Sequence, residues 1–153
     1  MEIPKRLLDC LNQSGAAYEI LQHAEAVTAQ RIAQAAHIKA HHQAKVVMVK
    51  SNGQDLMTVI PADRRIDLLK VEKLTGKPAS LETEQDFKSV FPDCALGAMP
   101  PFGNLYGLPT YVDQRLAQED YIVFEAGTHT DAIKLKYSDY EKIVKPQVAD
   151  LTM

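Results

Sequence analysis

The sequence has no tryptophan and only two cysteines, Cys10 and Cys94, among its 153 residues. Two isolated cysteines supply neither a disulfide framework nor the paired spacing of a zinc site, so they predict a reducing, cytoplasmic compartment. No apolar run approaches the roughly 18 residues that a membrane-spanning helix needs. The N-terminal segment places charges among its apolar residues, unlike a signal peptide. We therefore expect a cytoplasmic protein without membrane association.

Basic residues are not in excess either, since 17 lysines and arginines face 20 aspartates and glutamates, for a net charge of −3. Proteins that coat nucleic acid are usually strongly basic, because phosphate neutralisation supplies most of that affinity. A nucleic-acid ligand is therefore expected to be held through a local contact, such as one end of a strand. Five basic residues could supply that patch or form a solvated helix face: Arg64, Arg65, Lys70, Lys73 and Lys77.

The composition that is present, 46% hydrophobic and 24% charged, is typical of a globular protein, and the length suits one domain over residues 1–153. Apolar spacing predicts helices over residues 3–14, 67–74 and 83–90. Thr28 is a candidate N-cap for an alanine-rich helix. A capping box that starts at Ser138 predicts a last helix ending near Val144.

Apolar runs predict strands over residues 18–21, 45–50, 55–60, 121–125 and 132–136. The dipeptide Asn52-Gly53 predicts a hairpin between the second and third of these strands. Helices and strands are interspersed and their connections are uneven. The pattern therefore predicts an α/β protein of the mixed α+β type, with a mixed or partly closed, barrel-like sheet and flanking helices. No coiled-coil pattern is present, and a monomer is expected.

Residues 92–109 do not fit a helix or a central strand. They contain four of the eight prolines and three of the seven glycines, and proline cannot donate a backbone hydrogen bond. One interpretation is a long surface connection. The other is a rigid functional loop whose amides near Gly97 hold an anionic oxygen or orient a water molecule.

Other chemistry is sparse. His37, His41 and His42 could form a metal site if the segment is helical, but a solvated polar segment is the favoured interpretation. Cys94 could be a nucleophile, although a small buried residue is favoured there. Lys45 stands at the beginning of a predicted strand and could bind phosphate.

Several segments together carry a resemblance to a known family. The most specific is the GxxxP pattern formed by Gly97, Ala98, Met99, Pro100 and Pro101. The others are His23, Thr28, Ala44-Lys45, residues 59–67, Cys94, Phe102-Gly103, Val112-Asp113 and residues 124–129. With these segments the chain resembles the YbaK/prolyl-tRNA synthetase-associated domain family of aminoacyl-tRNA deacylases over nearly its whole length.

The resemblance implies a hydrolase that cleaves the ester between a wrong amino acid and the 3′ adenosine of a tRNA, without a metal or other cofactor. The partner is an aminoacyl-tRNA, bound at its 3′ acceptor end, and the resemblance also suggests an aminoacyl-tRNA synthetase. A mischarged tRNA-Pro, or a related species carrying a small amino acid, is the expected substrate. The alternative is a non-catalytic module that binds aminoacyl-tRNA or a small amino-acid-like ligand.

The resemblance also implies roles for individual residues. Lys45 would hold the terminal phosphates, and the amides of residues 97–101 would hold the carbonyl and position water. Asp113 and His129 would line the pocket. The remaining substrate-binding candidates are His23, Thr28, Gly103 and Gly127, together with four apolar residues that are either pocket wall or core: Ile20, Met48, Met99 and Phe102.

Overall fold

A computed structural model describes residues 2–23 and 39–153. The helices are α1 (Lys5–Ser14), α2 (Leu68–Thr75), α3 (Glu84–Phe87) and α4 (Tyr137–Val144). The strands are β1 (Tyr18–Gln22), β2 (Gln43–Ser51), β3 (Gln54–Pro61), β4 (Ala79–Leu81), β5 (Thr110–Asp113), β6 (Tyr121–Glu125), β7 (Asp131–Lys136) and β8 (Gln147–Ala149). None of the helices in the described ranges combines the length and the hydrophobicity of a membrane-spanning segment.

The strands form one mixed sheet in the order β1-β7-β6-β2-β3-β5-β8, with β4 attached to β2. The pairs β2–β6, β3–β5 and β5–β8 are parallel, and the other pairs are antiparallel. The Asn52-Gly53 turn joins β2 to β3 as the sequence predicted. The prediction of a mixed sheet with flanking helices is confirmed.

One edge of β2 is shared between two neighbours. Its first residues pair in parallel with β6, through Ala44 opposite Phe124, and its last residues pair with β4. Between these ladders, residues 45–47 have no strand partner on that edge among the described residues. The parallel strands β2 and β6 therefore separate immediately before Lys45, and the sheet opens at the end of β6.

The two faces of the sheet carry separate apolar clusters. The larger cluster includes Ala44, Met48 and Phe124 and is covered by α1, α4 and part of the 92–109 loop. The smaller cluster includes Val49 and is covered by α2. Because side chains alternate along a strand, Lys45 and Glu125 point to the face opposite the larger cluster.

The last helix starts earlier than the sequence predicted. It begins at Tyr137, so Ser138 lies inside its first turn, and no side chain caps it. Tyr137 is buried, and its N–H donates to the carbonyl of Asp120 at 3.1 Å. Tertiary contacts at Tyr137 therefore replace the predicted capping box. The helix predicted to begin at Thr28 lies outside the described residues.

Candidate active site

The 97–101 motif begins with a tight turn. The N–H of Ala98 donates to the carbonyl of Ala95 at 3.0 Å, which places Gly97 at the third position of a four-residue turn. Gly97 has a φ of +84°. A type II turn requires a positive φ at this position, and a side chain would strain it. The turn geometry therefore explains the glycine of the motif.

This turn leaves backbone donors available. Among the described residues, the N–H of Ala98 has an acceptor, whereas those of Gly97 and Met99 have none. Pro100 and Pro101 carry no N–H and restrict the chain that follows. Gly97 is exposed and Met99 is buried, so the N–H of Gly97 is the donor that a ligand reaches more readily. A rigid turn with a free N–H is suited to binding a carbonyl oxygen or an oxyanion.

Hydrogen bonds from two other segments hold the motif in place. The N–H of Gly127 donates to the carbonyl of Ala98, and the carbonyl of Gly127 accepts from the N–H of Ala95, both at 2.8 Å. The buried hydroxyl of Tyr140 donates to the carbonyl of Pro101 at 2.7 Å. These bonds connect the motif to the turn after β6 and to α4, so its conformation depends on the tertiary structure.

Gly127 is required by its own surroundings. It has a φ of +86°, and a Cβ atom there would lie 2.5 Å from Cδ of Pro4. A side chain would therefore be strained by the backbone conformation and would also collide with the residue before α1. This glycine lets the segment preceding α1 pack directly against the turn that anchors the motif.

His129 lies beside the motif turn. Its Nε2 is 2.8 Å from the carbonyl oxygen of Leu96, and its Cε1 is 3.7 Å from the position that a Cβ atom would take on Gly97. Its Nδ1 faces Oε1 of Glu125 at 3.6 Å, beyond hydrogen-bonding distance. The structure therefore brings two predicted site residues together and adds a carboxyl group beside them.

Lys45 follows the point where β2 and β6 separate. Its side chain is half-buried, and it forms no ion pair with a described carboxylate within 4 Å. Burial lowers the pKa of Lys45 below its ordinary value, the charge of Arg65 lowers this pKa further, and that of Asp63 opposes the shift. Lys45 and Glu125 point to the same face of the sheet, at the end of β6 to which Gly127 connects the motif.

The apolar candidates are distributed unevenly. Met48, Met99 and Phe102 belong to the larger core cluster. The ring of Phe102 packs against Phe124, with centroids 5.3 Å apart. Ile20, in contrast, lies on β1 at one end of the sheet and is 44% exposed. The core interpretation accounts for the first three residues, and Ile20 lies on the surface.

Gly103 and Asp113 have structural surroundings. A Cβ atom on Gly103 would collide with Thr110 and would lie 2.9 Å from the carbonyl oxygen of Leu108. The buried carboxylate of Asp113 accepts from the N–H of Leu151 at 2.9 Å and from that of Arg115 at 3.2 Å. These contacts hold the C-terminal segment beside β5, and among the described residues Asp113 forms no hydrogen bond or ion pair with the motif.

Of the two N-terminal candidates, the structure describes only His23. His23 follows β1 and is half-buried, and its N–H donates to the carbonyl of Thr130 at 2.9 Å. It therefore lies next to the turn that carries His129. Thr28 lies outside the described residues.

Cys94 has the properties of a buried structural residue. It is 8% exposed, and burial raises the pKa of its thiol to about 11. Its Sγ is 3.3 Å from the hydroxyl of Tyr106. A thiol with this pKa is almost entirely protonated at neutral pH and is a weak nucleophile, which supports the structural interpretation.

The described residues include one group that could offer metal ligands, formed by His41, His42 and Glu119 within 4.8 Å of one another. Nδ1 of His42 is 2.9 Å from the carbonyl oxygen of Tyr121 and therefore carries a hydrogen. The His42 ring also stacks on Tyr121, with centroids 4.0 Å apart. The group lies at the start of β6, at the opposite end from Glu125. His37 lies outside the described residues.

Comparison with known proteins identifies the family of this chain. The aminoacyl-tRNA editing domain family matches residues 23–143, which include Lys45, the motif and His129. The chain belongs to this family. As a member of the aminoacyl-tRNA editing domain family, it is a hydrolase that acts on the ester bonds of aminoacyl-tRNA, and aminoacyl-tRNA is its substrate.

The relatives of this editing domain agree in sequence and in fold. The multifunctional Ser/Thr-tRNA deacylase ProXp-y of Escherichia coli K12 is 28% identical over 152 residues, covering 95% of this chain and 90% of the relative. The crystal structure of a candidate trans-editing enzyme for prolyl-tRNA synthetase superposes with a TM-score of 0.84 at 22% identity, covering 97% of this chain and 96% of the other. A hypothetical protein reaches 0.87 at 18% identity, covering 97% and 100%.

Sequence reasoning did not select two polar residues of this region. Glu125 ends β6, and only 12% of its side chain is exposed. Gln43 begins β2 and is fully buried, and neither polar atom of its side-chain amide has a hydrogen-bond partner in the described parts of the chain. A glutamate that ends an otherwise apolar strand was the available signal. Its significance depends on burial, which the sequence does not state.

Proposed function

We propose that the chain edits mischarged tRNA in trans and removes serine or threonine, or another small amino acid, from the tRNA 3′ end. The observation that carries this proposal is the motif turn. Gly97 is exposed, and its N–H has no acceptor among the described residues and lies beside the ring of His129. The name of the ProXp-y relative supports serine and threonine as the amino acids.

Hydrolysis of an aminoacyl ester does not require a strongly nucleophilic side chain. An aminoacyl ester is already activated, so a positioned water molecule and a donor for the developing oxyanion suffice. In the proposed complex, the ester carbonyl accepts a hydrogen bond from Gly97. The bonds from Gly127 and Tyr140 to the motif keep this donor in position before the substrate arrives.

Lys45 is proposed to hold the terminal phosphates of the tRNA. Its ammonium group has no carboxylate partner within 4 Å among the described residues, and the charge of the neighbouring Arg65 acts on it more strongly than that of Asp63. A phosphate contact positions the 3′ end without reading its sequence. A single local contact of this kind does not require a basic protein and is therefore compatible with the net charge of −3.

The test is a deacylation panel that covers amino acid and tRNA separately. Alanine, cysteine, serine, threonine and proline are each loaded on tRNA-Pro and on their cognate tRNA, and ester loss is followed with and without a chelator. We expect rapid loss of the seryl or threonyl ester, with chelator present. Lys45→Ala lowers kcat/KM by roughly 10- to 100-fold, the value of one charge-assisted hydrogen bond.

Lys50→Ala is the matched control for this panel, because Lys50 lies on the same strand but next to Asp55 and Glu82. It is expected to retain wild-type turnover. Binding of tRNA without loss of any ester would contradict the proposal and favour a binding module. An equal decrease in kcat/KM for Lys45→Ala and Lys50→Ala would contradict a specific role for Lys45.

A further inference from the structure

A carboxyl group without a cation lies next to the motif turn. Oε1 of Glu125 is 3.6 Å from Nδ1 of His129, and neither atom has a hydrogen-bond partner in the described parts of the chain. Glu125 also forms no ion pair with a lysine or arginine in those parts. Buried carboxyl groups are normally hydrogen-bonded, paired or kept neutral, so an unpaired one beside a binding loop is available to a ligand that donates a hydrogen bond.

The hydrogen bond of His129 determines what this place can accept. A carbonyl oxygen only accepts, so the Nε2 atom that faces Leu96 carries the hydrogen. In the neutral ring, Nδ1 is then an acceptor that faces Glu125. Since Oε1 is shielded beside this ring, Oε2 is the carboxyl oxygen that remains for a ligand. The place offers acceptors and no donor other than a proton on the carboxyl group itself.

The ionisation of Glu125 is compatible with binding of a cation. Burial raises the pKa of Glu125 to about 8, so the carboxyl group is largely protonated at neutral pH when no cation lies beside it. A cation bound at Oε2 favours the ionised form. The carboxyl group then releases its proton to solvent, and the bound pair carries no net charge.

His129 lies between Glu125 and the motif turn, and this placement points to the kind of cation. Cε1 of His129 is 3.7 Å from the position that a Cβ atom would take on Gly97, and the proposed function assigns the N–H of Gly97 to the ester carbonyl. In an aminoacyl ester, the α-nitrogen is about 2.5 Å from the carbonyl carbon. We propose that Glu125 is a substrate-binding residue whose carboxylate accepts a hydrogen bond from the α-ammonium group of the aminoacyl ester.

This inference rests on the proposed function and adds a specificity to it. Every aminoacyl ester with a free amine carries the α-ammonium group, whereas a peptidyl or N-acylated ester carries an uncharged amide. An amide nitrogen cannot supply the cation that Glu125 lacks, and its acyl group adds bulk at a buried place. The enzyme therefore discriminates against N-acylated tRNA.

The test compares seryl-tRNA with N-acetylseryl-tRNA. Wild-type protein is expected to favour the free amine in kcat/KM by roughly 10- to 100-fold, the value of a hydrogen bond to a charged group. Glu125→Gln reduces this preference to within a few fold, mainly by slowing the reaction of the free amine. Glu82→Gln is the matched control, because Glu82 is also a buried carboxyl group but lies beside Lys50, and this variant keeps the wild-type preference.

Binding is measured in parallel with tRNA analogues that carry the same two groups on a non-hydrolysable 3′-amide. This readout separates the inference from the proposed function, because it requires no turnover. An equal Kd for both analogues in the wild-type protein overturns the inference. A Glu125→Gln variant that keeps the wild-type preference for the free amine also overturns the inference. The same holds for a variant in which only the preference for serine over alanine changes.

Discussion

The burial of Glu125 predicts how stability depends on pH. The pKa of this carboxyl rises from 4.5 to about 8 on folding because of desolvation. Between these values, the unfolded chain loses the proton and the folded chain keeps it, so the free energy of unfolding falls as pH rises. At 1.36 kcal/mol per unit, the full penalty is about 5 kcal/mol above pH 8 and about 3 kcal/mol at pH 7.

Glu125→Gln removes this penalty, because an amide of the same shape does not ionise. We expect the variant and the wild type to have similar stability near pH 5, with the variant becoming progressively more stable up to pH 8. Urea unfolding at a series of pH values from 5 to 9 measures the difference directly. A difference of several kcal/mol at pH 8 is a large fraction of the free energy of unfolding of a typical domain and is therefore easily measured.

Glu82→Gln provides the comparison within the same protein. The side chain of Glu82 is also buried, and burial together with Asp55 raises its pKa to about 7. Its difference curve is therefore expected to level off at a lower pH than that of Glu125→Gln. Parallel curves for wild type and Glu125→Gln from pH 5 to 9 would refute the reasoning, because they would mean that Glu125 ionises in the folded protein as it does in water.

Two further predictions concern the support of the motif. Gly127→Ala is expected to lower the free energy of unfolding by roughly 2–5 kcal/mol, because it combines a positive φ with a collision at Pro4. Gly107→Ala, at a similar φ with open space around it, should cost only about 1–2 kcal/mol, and equal costs would disprove the collision. Tyr140→Phe leaves the buried carbonyl of Pro101 without its donor, so it should lower the free energy of unfolding by about 1–3 kcal/mol and slow deacylation. Unchanged stability and an unchanged rate would show that Tyr140 does not support the motif.

Local signals in the sequence were sufficient for most regular elements. The Asn52-Gly53 turn fixed the hairpin. The side chain of Asp67 accepts from the N–H of Leu69 at the start of α2, where the helix was predicted to begin. The glycines and prolines of residues 92–109 argued against a helix or a central strand and marked the motif, and the segment contains one short 3-10 helix, Gly103–Leu105. These predictions succeed because turns, caps and φ restrictions involve only a few neighbouring residues.

Short strands gave no such signal. β4, β5 and β8 contain only three or four residues each, too few for an alternating pattern, and they exist because neighbouring strands supply their hydrogen-bond partners. The predicted start of α4 was also wrong, because the burial of Tyr137 determines where that helix begins. Tertiary contacts decide such elements because they outweigh weak local preferences.

The sequence by itself therefore determined the family, the motif and the candidate lysine, all of which depend on residue identity. The tertiary structure alone decided that the parallel pairing of β2 with β6 places Lys45 and Glu125 on one face of the sheet. It also decided that the bonds of Gly127 bring the motif turn to the same end of β6. The physical reason is that long-range strand pairing and burial, rather than local backbone preference, determine which distant polar groups become neighbours and which of them lose water.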